Sequence, residues 1–169
     1  WGRPEYDSQQ LFEKLCLDGQ QAGLSWITIL KKQQGYRNAF ANFEPVKIVE
    51  FTQDDVERLM LNPEIVRNRL KINSIIKNAK AFLAYEQEHG AGSFSSFLWA
   101  FVGGTSKINE WAAMSEVPVE TQESQAMSKA LKKLGFNFVG PTICYAFMQA
   151  VGMVNDHLVS CPSYRACRE

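Results

Sequence analysis

Apolar residues recur along this chain at three- and four-residue intervals, in blocks separated by glycine, proline and small polar residues. Leu11, Phe12, Leu15 and Cys16 share one helical face, and Asp7 and Gln10 are spaced as a capping box ahead of them. Gly19 interrupts the block, and a second helix is expected to carry Leu24, Ile27 and Leu30. Pro45 suits a first helical turn, where its missing N–H costs nothing. Thr52 and Asp55 make a second box-like start before Val56, Leu59 and Met60. Pro63 opens the longest pattern, from Ile65 through Ile72, Ile75, Ile76, Ala79, Phe82 and Leu83, which Gly90 and Gly92 end. Phe94, Phe97, Leu98 and Phe101 predict a short buried helix. Residues 103–121 are irregular, and Met127, Ala130, Leu131 and Leu134 then predict a helix stopped by Gly135. A last helix starts at Pro141, carries Ile143, Phe147, Met148 and Val151, and stops at Gly152. No alternating strand pattern is visible, so the expected fold is all-α. It is a single domain over residues 1–169, or two helical lobes joined around 103–121.

An apolar fraction of 46% over 169 residues is enough to bury a sizeable core. No apolar run approaches the ~20 residues that span a bilayer, so no membrane partner is expected. Cys16, Cys144, Cys161 and Cys167 are too scattered for a disulfide framework, which points to a reducing cytoplasm. The 18 basic and 18 acidic residues balance, whereas many nucleic-acid binders are basic overall. Distribution changes that picture. Residues 65–82 carry Arg67, Arg69, Lys71, Lys77 and Lys80 with no acid, and Lys129, Lys132 and Lys133 form a second run. Charge pattern alone favours ordinary solvated faces over a binding surface.

Two stretches carry candidate chemistry. Residues 131–142, LKKLGFNFVGPT, read as helix, glycine-containing turn and helix. Gly140 allows a ligand close to the backbone, and free N–H groups at the start of the second helix can hold a phosphate. Lys132 adds attraction that ignores DNA sequence. From spacing alone, an ordinary helical hairpin is equally good. Residues 16–28, CLDGQQAGLSWIT, place a carboxylate, Asp18, shortly before an aromatic platform, Trp26. An extruded base needs such a platform, since stacking returns ~1–3 kcal/mol. Taken singly, Trp26 reads as a core tryptophan and Asp18 as a helix-end residue.

Together with Trp1-Gly2, Lys31-Lys32 and residues 138–157, these blocks resemble the type I 3-methyladenine DNA glycosylases, within the helix-hairpin-helix superfamily. The matches occur in order and cover nearly the whole chain. The resemblance implies a helix-hairpin-helix glycosylase-like helical bundle and a bacterial, cytoplasmic, monomeric repair enzyme. Such an enzyme hydrolyses the N-glycosidic bond of 3-methyladenine in double-stranded alkylated DNA and releases the free base. Asp18 stands where the family has glutamate, and would face the cationic base in the catalytic pocket with Trp26 and Trp1. Gln21, Leu24, Lys132, Phe138, Gly140 and Thr142 would contact DNA. Thr142 occupies the position of the lysine nucleophile of bifunctional relatives, so no lyase step is implied. The superfamily's catalytic acid falls on Asn155, with Asp156 displaced by one. His157 and Cys161, four apart, would supply half of a structural zinc site. The other two ligands, and a pocket tyrosine, are expected upstream of Trp1. The alternative from another class is a non-catalytic helix-hairpin-helix DNA-binding module.

Overall fold

A computed structural model describes residues 4–110, 112–113 and 117–156. Helices α1 (Ser8–Gln20), α2 (Trp26–Ala39), α3 (Pro45–Ile48), α4 (Gln53–Leu59), α5 (Arg69–His89), α6 (Ser93–Trp99), α7 (Gln122–Leu134) and α8 (Pro141–Ala150) dominate. None of the described helices is long and apolar enough to cross a membrane.

The local signals explain most helix starts. Asp7 accepts a hydrogen bond from the Gln10 amide at 3.0 Å. Thr52 and Asp55 form a reciprocal capping box on α4, and Pro45 is the first residue of α3. Gly90 ends α5 and Gly135 ends α7. Each helix contributes to one buried apolar cluster, among them Leu11 of α1, Ile29 of α2, Ile72 of α5, Met127 of α7 and Phe147 of α8. Aromatic rings tie the hairpin side to the centre. Phe136 stacks on Phe94 at 5.5 Å, and Phe94 meets Phe82 edge-on at 5.0 Å.

Four expectations are corrected. Gly19 lies inside α1, not at a break: a Cβ there would come within 3.0 Å of the Phe138 carbonyl oxygen, so glycine admits the hairpin against the helix. Leu24 precedes α2 in a turn, and the expected stripe faces outward, Ile27 being 61% and Leu30 52% exposed. The core face of α2 is instead Ile29, Tyr36 and Ala39. The longest helix begins at Arg69, because Asn68 caps it and the segment from Pro63 is a turn. Finally, two short strands exist, β1 (Lys107–Ile108) and β2 (Val154–Asn155), paired in parallel. Two residues are too few to leave an alternating pattern in a sequence.

Candidate active site

The last turn of α1 delivers Asp18 to the interior, where it is 4% exposed. One turn earlier on the same helix, Lys14 places its ammonium 3.5 Å from Asp18 Oδ1. Asp18 Oδ2 is buried and accepts no hydrogen bond among the described residues. Burial pushes the Asp18 carboxyl up to about 6, and Lys14 opposes that rise. A buried carboxylate with one oxygen unpartnered is costly in a folded protein. It is also what a cationic, hydrogen-bond-donating ligand would complete.

The turn after α1 carries Gln21, half-buried, and Leu24, exposed. It is closed by a hydrogen bond from the Leu24 amide to the Gln21 carbonyl at 2.7 Å, and Gly23 supplies its positive φ of 79°. Ser25 then caps α2, its hydroxyl accepting from the Thr28 amide at 3.3 Å.

The hairpin between α7 and α8 packs against this end of α1. Gly135 takes φ 101°, and the Phe136 amide returns to the Leu131 carbonyl at 3.1 Å, a glycine-terminated helix end. Phe138 has φ 56°, a region costly for a residue with a side chain. Its neighbours hold it there. Asn78 of α5 accepts from the Asn137 amide at 2.8 Å and donates to the Asn137 carbonyl at 3.3 Å. Gly140 caps α8 in an extended conformation, with open space where a Cβ would stand. Pro141 follows at the first helical position, and Lys132 and Thr142 are exposed on either side of the turn. Gly19, next to Asp18 on α1, lies against the Phe138 backbone, which puts the hairpin and the carboxylate in one neighbourhood.

The superfamily's acid position is buried and committed. Asn155 is 1% exposed within β2, and its carbonyl accepts from the Asn109 amide at 3.2 Å. Asp156 Oδ1 accepts from Asn109 Nδ2 at 2.6 Å, while Oδ2 accepts from Gln149 at 3.0 Å and from the Tyr145 hydroxyl. A carboxylate so occupied holds β2 to α8 and is not offered to a ligand.

Asp18, Gln21, Leu24, Lys132, Phe138, Gly140 and Thr142 are therefore found at the α1 end and the hairpin. Trp26 opens α2, but its side chain lies outside what the structure describes, as do Trp1, His157 and Cys161. No group of three or more metal-binding side chains occurs among the described residues. Sequence reasoning missed Lys14, whose spacing from Asp18 on one helix was a legible signal. It also missed Lys71 and Asn78, which reach their partners across the fold.

Fold and site together define a predominantly helical protein whose helix-hairpin-helix is docked beside a buried carboxylate. The chain matches the methyladenine glycosylase family over residues 1–165, and it belongs to that family. The DNA-3-methyladenine glycosylase of Haemophilus influenzae is 53% identical over 162 residues, spanning 96% of this chain and 86% of its own. A crystal structure of 3-methyladenine DNA glycosylase I superposes with a TM-score of 0.94 at 54% identity, covering 96% of this chain and 88% of the other. A variant of 3-methyladenine DNA glycosylase I in complex with 3-methyladenine superposes with a TM-score of 0.93 at 43% identity, covering 97% of this chain and 87% of the other.

Proposed function

We propose that this chain is a DNA-3-methyladenine glycosylase, a hydrolase that cleaves the N-glycosidic bond of 3-methyladenine in alkylated, double-stranded DNA. The observation that carries the reading is Asp18, a buried carboxylate with Oδ2 unpartnered beside a helix-hairpin-helix. Adenine methylated at N3 is cationic in DNA and bears an exocyclic amino group. Asp18 would pair with that charge and accept a hydrogen bond from the amine, whereas neutral adenine gains much less. Relatives named as DNA-3-methyladenine glycosylases support excision over a non-catalytic DNA-binding module.

The hairpin would hold the DNA backbone through the free amides at the start of α8 and the charge of Lys132. Phe138 and Gly140 would lie against the phosphates, with Thr142 at the helix start. Gln21 and Leu24 would fill the space vacated by the extruded nucleotide. Trp26, with Trp1, would stack on the base. A cationic purine is a good leaving group, so Asp18 mainly selects and holds it, and water attacks the anomeric carbon. Thr142 carries no amine, so the chemistry ends at an abasic site. His157 and Cys161 remain candidates for half of a structural zinc site, and no step of the reaction depends on them.

The test is release of free 3-methyladenine from methylated duplex DNA. Excision by the wild-type chain, with loss in Asp18→Asn and Trp26→Ala at unchanged helicity, is the expected result. Salt-sensitive DNA binding without any base release would overturn it in favour of the binding module.

A further inference from the structure

The turn that carries Gln21 and Leu24 is anchored from beneath by a lysine of another helix. Lys71, in the first turn of α5, is 6% exposed. Its ammonium donates to the Gln20 carbonyl at 2.9 Å and to the Ala22 carbonyl at 2.6 Å. Both acceptors are main-chain groups at the end of α1, where helical carbonyls lack internal partners and the helix dipole is negative. Among the described residues no carboxylate lies within ion-pair distance of Lys71.

The contact is reciprocal and extended. Gln20 Nε2 donates back to the Lys71 carbonyl at 2.9 Å. The Tyr36 hydroxyl of α2 donates to Gln20 Oε1 at 3.2 Å and accepts from the Val66 amide at 3.1 Å. Ser74 Oγ donates to the Lys71 carbonyl at 2.6 Å. One polar network thus joins α1, α2 and α5 under the turn of residues 21–25. A buried ammonium satisfied only by carbonyls is an expensive way to end a helix, since a glycine C-cap would do it locally. The expense is intelligible if what matters is the rigidity of the turn.

We infer that Lys71 is a positioning residue that stiffens the turn of residues 21–25, so that Gln21 and Leu24 can hold a DNA duplex open around an extruded base. This rests on the glycosylase reading above. A soft turn would yield to the closing duplex, whereas a turn fixed from within would resist it. Lys71 faces inward, so its effect should depend on how hard the base is to extrude.

The experiment compares single-turnover release of 3-methyladenine from two methylated duplexes. In one the lesion is paired with thymine; in the other it lies opposite an abasic analogue, where extrusion costs least. Lys71→Met keeps the apolar stem and removes the donors. It should slow excision from the paired substrate by about tenfold to a hundredfold, the range expected for a displaced positioning group. Release from the unpaired site should change by less than about threefold. Lys71→Arg, which restores donors to the same carbonyls, should recover much of the paired rate. Equal losses on both substrates, or no loss on the paired one, would overturn the proposal. Should Lys71→Met not fold, Lys71→Gln, which can still donate to one carbonyl, gives the same comparison. Wild-type protein that releases no base from either duplex would refute the glycosylase reading instead.

Discussion

Under the proposed function Asp18 would select the base, and its burial also costs stability. Its folded carboxyl sits at about 6, above the ordinary 3.8, because burial penalises the charge more than Lys14 relieves it. The folded state therefore holds a proton that the unfolded chain has released between those values, and stability falls as pH rises through that window. Above it the ionised carboxylate is a standing penalty. Asp18→Asn should accordingly raise the melting temperature at pH 7.5, with the gain shrinking as pH is lowered from 6 to 4, while excision is lost. The wild-type excision rate should decline as pH drops through about 6, because the cation-pairing form disappears, and Asp18→Asn should lack that limb. A melting temperature that does not rise at pH 7.5 would mean the carboxylate is better compensated than its surroundings imply. Gly140 poses the reverse case, since its missing side chain relieves no internal contact. Gly140→Ala should lower the melting temperature by only a few degrees, because alanine is a poorer helix cap than glycine by roughly 1 kcal/mol. Duplex binding should nevertheless weaken several-fold, because the methyl stands in the open space beside the amides of α8. Unchanged affinity would take Gly140 out of the interface.

Between elements, the packing is governed by places where helices approach without side chains. Gly35 on α2 is the tightest of these. A Cβ there would lie 2.5 Å from the Glu64 carbonyl oxygen, and Lys32 one turn earlier donates to the Pro63 carbonyl at 2.9 Å. Helix α2 is thus seated directly on the turn that precedes α5. Gly35→Ala should destabilise by about 1–3 kcal/mol, the usual range for overpacking, and lower the melting temperature by several degrees. Excision measured well below the transition should be little changed, because Gly35 meets Glu64 and not a residue of the candidate site. A wild-type melting temperature would show that the turn yields freely. Gly19 plays the matching part on α1, where the hairpin's Phe138 takes the space of a side chain.

Across the protein as a whole, formal charge is balanced, so affinity for a polyanion has to come from where the cations stand. Two of the five basic residues in 65–82 are already engaged: Arg69 pairs with Glu57, and Lys71 is buried on carbonyls. Lys77 and Lys80 remain exposed, with Lys77 lining a groove beside Asn137 and Phe138 of the hairpin. Lys132 is exposed on the last turn of α7. Lys132→Ala should weaken DNA binding with little dependence on sequence and reduce the slope of log affinity against log salt by about 0.9, one phosphate contact. An unaltered slope would remove Lys132 from the DNA-facing side.

Helix identity, caps and the hairpin were legible in the chain because each depends on residues three or four apart. Asp7 with Gln10, Thr52 with Asp55, Gly135 after Leu134 and Pro141 after Gly140 are such cases. The family blocks likewise point to Asp18 and the hairpin. Periodicity failed where the same local signal serves two ends. The apolar Leu24, Ile27 and Leu30 read as a buried stripe, yet stand at the surface, and Gly19 read as a break, yet admits a neighbouring loop. What lay beyond the sequence was long-range pairing. Lys71 meets the end of α1 across 51 residues and Asn78 meets the hairpin across 59. Whether Asp18 is a solvated helix end or a buried carboxylate with an unpartnered oxygen depends on which helices close over it. No spacing along the chain encodes that, because burial is a property of the assembled core.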